Sequence, residues 1–78
     1  MYKAVIGVIP SDNYKLILTF DSGEKRLFNM IPYLNHGIFS ELQDVDLFNT
    51  VKIDFDTISW DNDADLDPEI LYKESVEL

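Results

Sequence analysis

Seventy-eight residues allow one domain at most, here 1–78, because separate cores rarely form below about 50 residues each. Apolar residues at 46% and aromatics at 13% argue against disorder despite a formal net charge of -9. With 6 Lys and Arg against 15 Asp and Glu, and no cysteine, the composition speaks against direct nucleic-acid or anionic-membrane binding and excludes disulfides, thiolate metal sites and cysteine nucleophiles.

Residues 4–9 form a short apolar run rich in β-branched side chains, followed by Pro10-Ser11-Asp12-Asn13. Length and branching predict a strand, and the four following residues are turn formers. Both faces of this strand are apolar, which places it centrally or under a helix. Gly7 removes a side chain in mid-strand, so a bulge or close backbone approach stands beside plain tolerance of glycine. From Tyr14 to Phe20 the chain alternates: Tyr14, Leu16, Leu18 and Phe20 share one face, Lys15, Ile17 and Thr19 the other. Asp21-Ser22-Gly23-Glu24 supplies a turn, and Lys25 to Met30 returns as the second arm of a hairpin.

Pro32 fits the first turn of a helix, and Asn35-His36-Gly37 fits a helix end. Residues 31–44 therefore read as one short helix or two broken turns. Residues 44–49 read as a loop or tight turn whose Leu47 and Phe48 plug the core. Val51, Ile53 and Phe55 alternate with Lys52, Asp54 and Asp56, the cleanest period-two pattern in the chain. Residues 57–60 continue as a further short strand or the end of the same one. Asp67-Pro68-Glu69 gives an N-cap, a first-turn proline and an acidic first turn; the helix carries Ile70, Leu71 and Tyr72 and ends near 73–75, leaving a frayed tail. The sum is an α+β fold: a small antiparallel sheet of four to five strands, made of three N-terminal strands, a central short helical segment and one or two further strands, with a short C-terminal helix. A core this small implies about 5 kcal/mol of stability, which homodimerisation would supplement.

Acidic residues concentrate at Asp54, Asp56, Asp61, Asp63, Asp65 and Asp67. Asp61, Asp63 and Asp65 match the first, third and fifth positions of an EF-hand loop, but the sixth requires Gly and is Leu66, and the twelfth requires Glu and is Tyr72. Two readings stay open for this stretch. In one, Asp67 caps a helix, Asp65 accepts backbone N–H groups, and Asp61 and Asp63 stay in solvent. In the other, the cluster docks a basic partner, since like charge steers encounter with the opposite sign. Trp60 and Tyr72 flank the loop: either Trp60 packs beneath the terminal helix while Tyr72 covers the edge, or both anchor an interface. His36 reads as a surface residue at a helix end, and Ser40 nearby makes no catalytic pair with it on sequence grounds. Glycines at 7, 23 and 37 alone build no phosphate loop or dinucleotide fingerprint.

Leu16-Ile17-Leu18-Thr19-Phe20-Asp21-Ser22-Gly23-Glu24, Phe28-Asn29-Met30, Ile58-Ser59-Trp60 and Asp65-Leu66-Asp67-Pro68-Glu69-Ile70-Leu71-Tyr72 together resemble the domain of unknown function 2442, a small bacterial family. The terminal segment is the most specific part, and the resemblance covers nearly the whole chain. Asn29 departs from the Asp usual there. The resemblance implies an α+β fold and no established activity. Some longer members look like this domain followed by a helix-turn-helix domain, which this chain, ending at Leu78, is not expected to carry. Short members beside a second small protein suggest toxin–antitoxin-like pairs. No catalytic residue carries over.

These readings lead to one expectation: a non-catalytic, cytoplasmic interaction or regulatory module, without metal or cofactor, that binds a small basic protein through Trp60, Asp61, Asp63, Asp65 and Tyr72. No apolar run approaches the roughly 20 residues that span a bilayer, and Met1-Tyr2-Lys3 opens no signal-peptide pattern. The alternative is a small-molecule-sensing domain acting with a separate DNA-binding protein.

Overall fold

The computed structural model describes residues 4–78. Among them, strands fall into two antiparallel sheets. The first contains β1 (Val5–Ser11), β2 (Lys15–Phe20), β3 (Lys25–Asn29) and β7 (Val76–Glu77), in the order β1-β2-β3-β7. The second contains β4 (Lys52–Asp54), β5 (Thr57–Ser59) and β6 (Asp65–Leu66), in that order. Between the sheets run two 3₁₀ turns, Ile31–Tyr33 and Gly37–Gln43, and a one-turn helix α1 (Val45–Phe48). Helix α2 (Pro68–Glu74) precedes the last strand. The α+β architecture is the one read from sequence, with its strands shared by two sheets.

The β2–β3 hairpin forms as its alternation requires. Leu16 pairs with Phe28 and Ile17 with Leu27. Leu16, Leu18, Phe20, Phe28 and Met30 are buried, and Gly23 supplies the positive φ of +89 that the turn needs. At the C-terminal helix, Asp67 Oδ1 accepts the Glu69 N–H at 2.8 Å, with Pro68 in the first turn.

Several expectations need correction. β1 lies at the edge of its sheet, not at the centre, and Ile6 and Ile9 are exposed. The strand also runs through Pro10 and Ser11; an edge strand leaves one side unpaired, so it tolerates proline. The turn is Asp12-Asn13-Tyr14. The register shifts between Val5 and Gly7, which makes Ile6 the extra residue of a bulge. Of the loop or tight turn expected over 44–49, the tight turn forms, as one turn of helix: Asp44 Oδ1 accepts the Asp46 N–H at 3.0 Å and starts α1, which brings Phe48 and Leu47 to the core as expected. The alternation from Val51 stops early. Phe55 and Asp56 form a two-residue hairpin turn between β4 and β5, with Phe55 at φ 58 and 94% exposed. The tail does not fray; Leu27 pairs with Val76 and Arg26 with Glu77.

Both sheets, the 3₁₀ segment and both helices bury side chains in one cluster that includes Val5, Leu18, Leu42, Phe48, Ile58, Trp60 and Leu71. A polar clamp closes its far end. Arg26 donates to Glu24 Oε2 (2.6 Å), Ser75 Oγ (2.7 Å) and Ser75 O (2.7 Å). Its guanidinium also lies 4.4 Å from the centroid of the Tyr72 ring. Charge-assisted bonds of this kind are about twice as strong as neutral ones, so α2 and β7 are fastened to β3 by one side chain.

Candidate functional site

β5 and β6 pair through Ile58↔Leu66 and Ser59↔Asp65, and residues 60–64 close them as a hairpin loop. Trp60 N–H donates to Ala64 O and Asp63 N–H to Trp60 O, each at 2.9 Å. Asp63 takes φ 69, the left-handed position near the end of a three-residue hairpin loop, which Asp tolerates better than most residues. Asn62 Oδ1 accepts the Ala64 N–H at 3.1 Å, and its Nδ2 donates to Glu41 Oε1 at 3.1 Å. The backbone-accepting role expected of Asp65 therefore belongs to Asn62. Asp61 N–H donates to Thr50 Oγ1 at 3.2 Å. Thr57 Oγ1 donates to Leu66 O and braces the other end.

The five expected contact residues separate into two groups. Asp61, Asp63 and Asp65 are exposed on this one hairpin. Asp61 meets Lys52 Nζ at 3.3 Å with both side chains more than half exposed, a pairing worth at most about 1 kcal/mol. Among the described residues, no hydrogen bond or ion pair engages the Asp63 or Asp65 carboxylate. Trp60 is 1% exposed. Its indole N–H donates to Phe48 O at 3.0 Å and its ring tilts against Phe48, so it holds the hairpin against α1 and presents no ring to a partner. Tyr72, on α2, packs against the first sheet: it meets Phe20 edge-on at 5.1 Å and donates to Glu24 Oε1 at 3.0 Å.

His36 is exposed between the two 3₁₀ turns, and Ser40 Oγ donates to Gly37 O at 2.8 Å, so the two make no base–nucleophile pair. Tyr33 has a clearly perturbed phenol. Burial raises its phenol above the ordinary value, and the neighbouring Glu74 carboxylate, which accepts its O–H at 3.1 Å, adds to the rise. Two residues escaped sequence reasoning. Asn62 carried a readable signal, an amide two residues before the N–H it caps. Phe55 carried none, because an aromatic completing an alternation reads as strand.

The fold is thus a small two-sheet α+β domain with an acidic hairpin on its shorter sheet. No helix among the described residues is long and apolar enough to cross a membrane. The chain belongs to the family described as Protein of unknown function (DUF2442), whose model matches residues 5–77 and so takes in both sheets and the hairpin. No curated protein and no solved structure proved similar to it.

Proposed function

We propose that the domain is a non-catalytic protein-interaction module whose β5–β6 hairpin docks a small basic protein, as in a toxin–antitoxin-like pair. One observation carries this reading: the Asp63 and Asp65 carboxylates are exposed on a braced hairpin and, among the described residues, make no hydrogen bond or ion pair that holds it. Asn62, Thr50 and Thr57 make the side-chain bonds that brace it. Carboxylates kept close together without a folding role raise the local negative potential, which speeds encounter with a cationic surface. A rigid hairpin also loses little side-chain and loop entropy on binding.

The test is affinity capture by the wild-type domain and by the double variant Asp61→Lys/Asp63→Lys, each checked by circular dichroism. The expected result is a basic protein retained at low salt, released as salt rises, and lost with the double variant. Equal capture by a folded double variant refutes the proposal.

A second reading is a small-molecule sensor, favoured by a cleft of about 360 Å³ between the β1–β2 turn and α1, lined by Ser11, Asp12, Asn13, Tyr14 and Asn49 among others. That volume is near the lower bound of ligand pockets, roughly 300 Å³. A metabolite that raises the thermal midpoint in proportion to its concentration would support it.

A further inference from the structure

The outer face of the four-stranded sheet has a composition unlike the rest of the molecule. Strand pairing aligns Ile9 with Ile17, Ile17 with Leu27, and Leu27 with Val76. One aliphatic side chain from every strand thus stands in a continuous row across the sheet. The row faces away from the core, since the alternate positions Val8, Leu16, Leu18 and Phe28 join the buried cluster. Its two ends are open: Ile9 is 62% and Val76 60% exposed.

Charge on this face is equally selective. Strand alternation puts Ser11, Lys15, Thr19, Lys25 and Asn29 beside the row, and no Asp or Glu of β1, β2, β3 or β7 faces this way. Glu77 pairs with Arg26 on the opposite face. A chain with 15 acidic and 6 basic residues therefore places two lysines and no strand carboxylate here. Lys15 is two residues from Ile17 along β2 and Lys25 two residues from Leu27 along β3, about 7 Å in each case. Antiparallel pairing puts the two lysines on opposite sides of the row.

We propose that this face is a docking site for an amphipathic helix of a partner protein, its apolar stripe along Ile9, Ile17, Leu27 and Val76 and its acidic flanks on Lys15 and Lys25. The dimensions agree. Four strands at about 4.8 Å spacing put the ends of the row about 14 Å apart. A helix rising 1.5 Å per residue covers that distance with about ten residues. A helix about 10 Å in diameter laid along the row brings its flanking side chains over the two lysines. A second copy of the chain fits less well, because it joins two chains of net charge -9 and sets the strand lysines of one face against those of the other. The site is separate from the acidic hairpin and stands whether or not that hairpin binds a basic protein.

The experiment is an NMR titration of the isotope-labelled full chain with two synthetic helical peptides. Both carry leucine at i, i+3, i+4 and i+7; one has glutamate flanks and the other lysine flanks. The glutamate peptide is expected to move the amides of Ile9, Ile17, Leu27 and Val76. Ile9→Thr with Val76→Thr, both at exposed β-compatible positions, is expected to weaken it about tenfold. Lys15→Glu with Lys25→Glu is expected to reverse the peptide preference. Absence of glutamate-peptide binding, shifts confined to another face, or no change of preference on charge reversal overturns the proposal. So does a dimer in sedimentation that Ile9→Thr with Val76→Thr dissociates, because the occupant is then a second copy.

Discussion

Phe55 lies at the first central position of the β4–β5 turn with φ 58, while Asp56 keeps a negative φ. Positive φ at the first of two central residues is the pattern of type II′ turns, where Gly is the natural occupant. A left-handed conformation costs a residue with a Cβ about 1–2 kcal/mol. Phe55→Gly removes that cost and loses about 0.5–1 kcal/mol through the greater freedom of glycine in the unfolded chain. The side chain is 94% exposed, so little packing is forfeited. The balance is a gain centred on about 0.75 kcal/mol and no larger than about 1.5 kcal/mol, so about 3–6 °C in thermal midpoint at the centre for a domain of this size. Calorimetry on the two proteins at pH 7 reads it directly. A lower midpoint for Phe55→Gly refutes the reasoning, since it requires stabilising contacts that an exposed ring at a strained turn does not have. Tyr14 is the counterexample within the same chain. It too has a positive φ, 59, but its ring meets Phe48 edge-on at 5.3 Å and its O–H donates to Gln43 O. Tyr14→Gly is therefore expected to destabilise.

Arg26→Met removes the clamp on Glu24 and Ser75; the ion-paired Arg26 and Glu24 side chains are only 15% and 21% exposed, so urea unfolding should show a loss of about 2–3 kcal/mol. Asp65→Asn should leave stability unchanged within about 0.5 kcal/mol, whereas Asp67→Ala should lose about 1 kcal/mol with the N-cap bond; equal losses in urea unfolding would contradict the separation of binding from folding residues. The raised pKa of Tyr33 means that the folded state favours its protonated phenol. The stability it contributes is complete below the unfolded value of about 10 and is lost as pH rises through the higher folded value. Difference absorbance of tyrosinate in wild type and Tyr33→Phe should place the Tyr33 transition above the ordinary range, and Glu74→Gln should move it back downward.

Legibility in the sequence followed the physics of each segment. The β2–β3 hairpin and the Asp67-Pro68 helix start were readable because a local signal and a buried face coincide there: alternation ends at a glycine turn, and a capping carboxylate precedes an apolar turn. The strands of the second sheet misled, because residues 51–56 alternate without burying one face; Ile53 is 38% exposed and Phe55 more so. β1 misled for the opposite reason. Its apolar outer face suggested a central strand, yet Ile9 belongs to an open row on a sheet edge, and no property of the segment alone states what its neighbours leave uncovered. β7 is two residues long and pairs with β3 fifty residues away in sequence, which local pattern cannot foresee. At the candidate site, Asp61, Asp63 and Asp65 lie exposed on one hairpin. Tyr72 was drawn to them only by proximity in sequence, and Trp60 proved to be their support.

Isothermal titration of the captured basic protein against the wild-type domain and Asp63→Asn/Asp65→Asn, at several salt concentrations, tests the docking role of the hairpin most directly. Both carboxylates are exposed and make no hydrogen bond or ion pair among the described residues, so the variant should fold as the wild type does. The predicted result is an affinity lower by about tenfold at low salt, with a shallower salt dependence, because two charges no longer contribute. Identical affinities and identical salt dependences would contradict the account and leave the acidic hairpin without a part in binding.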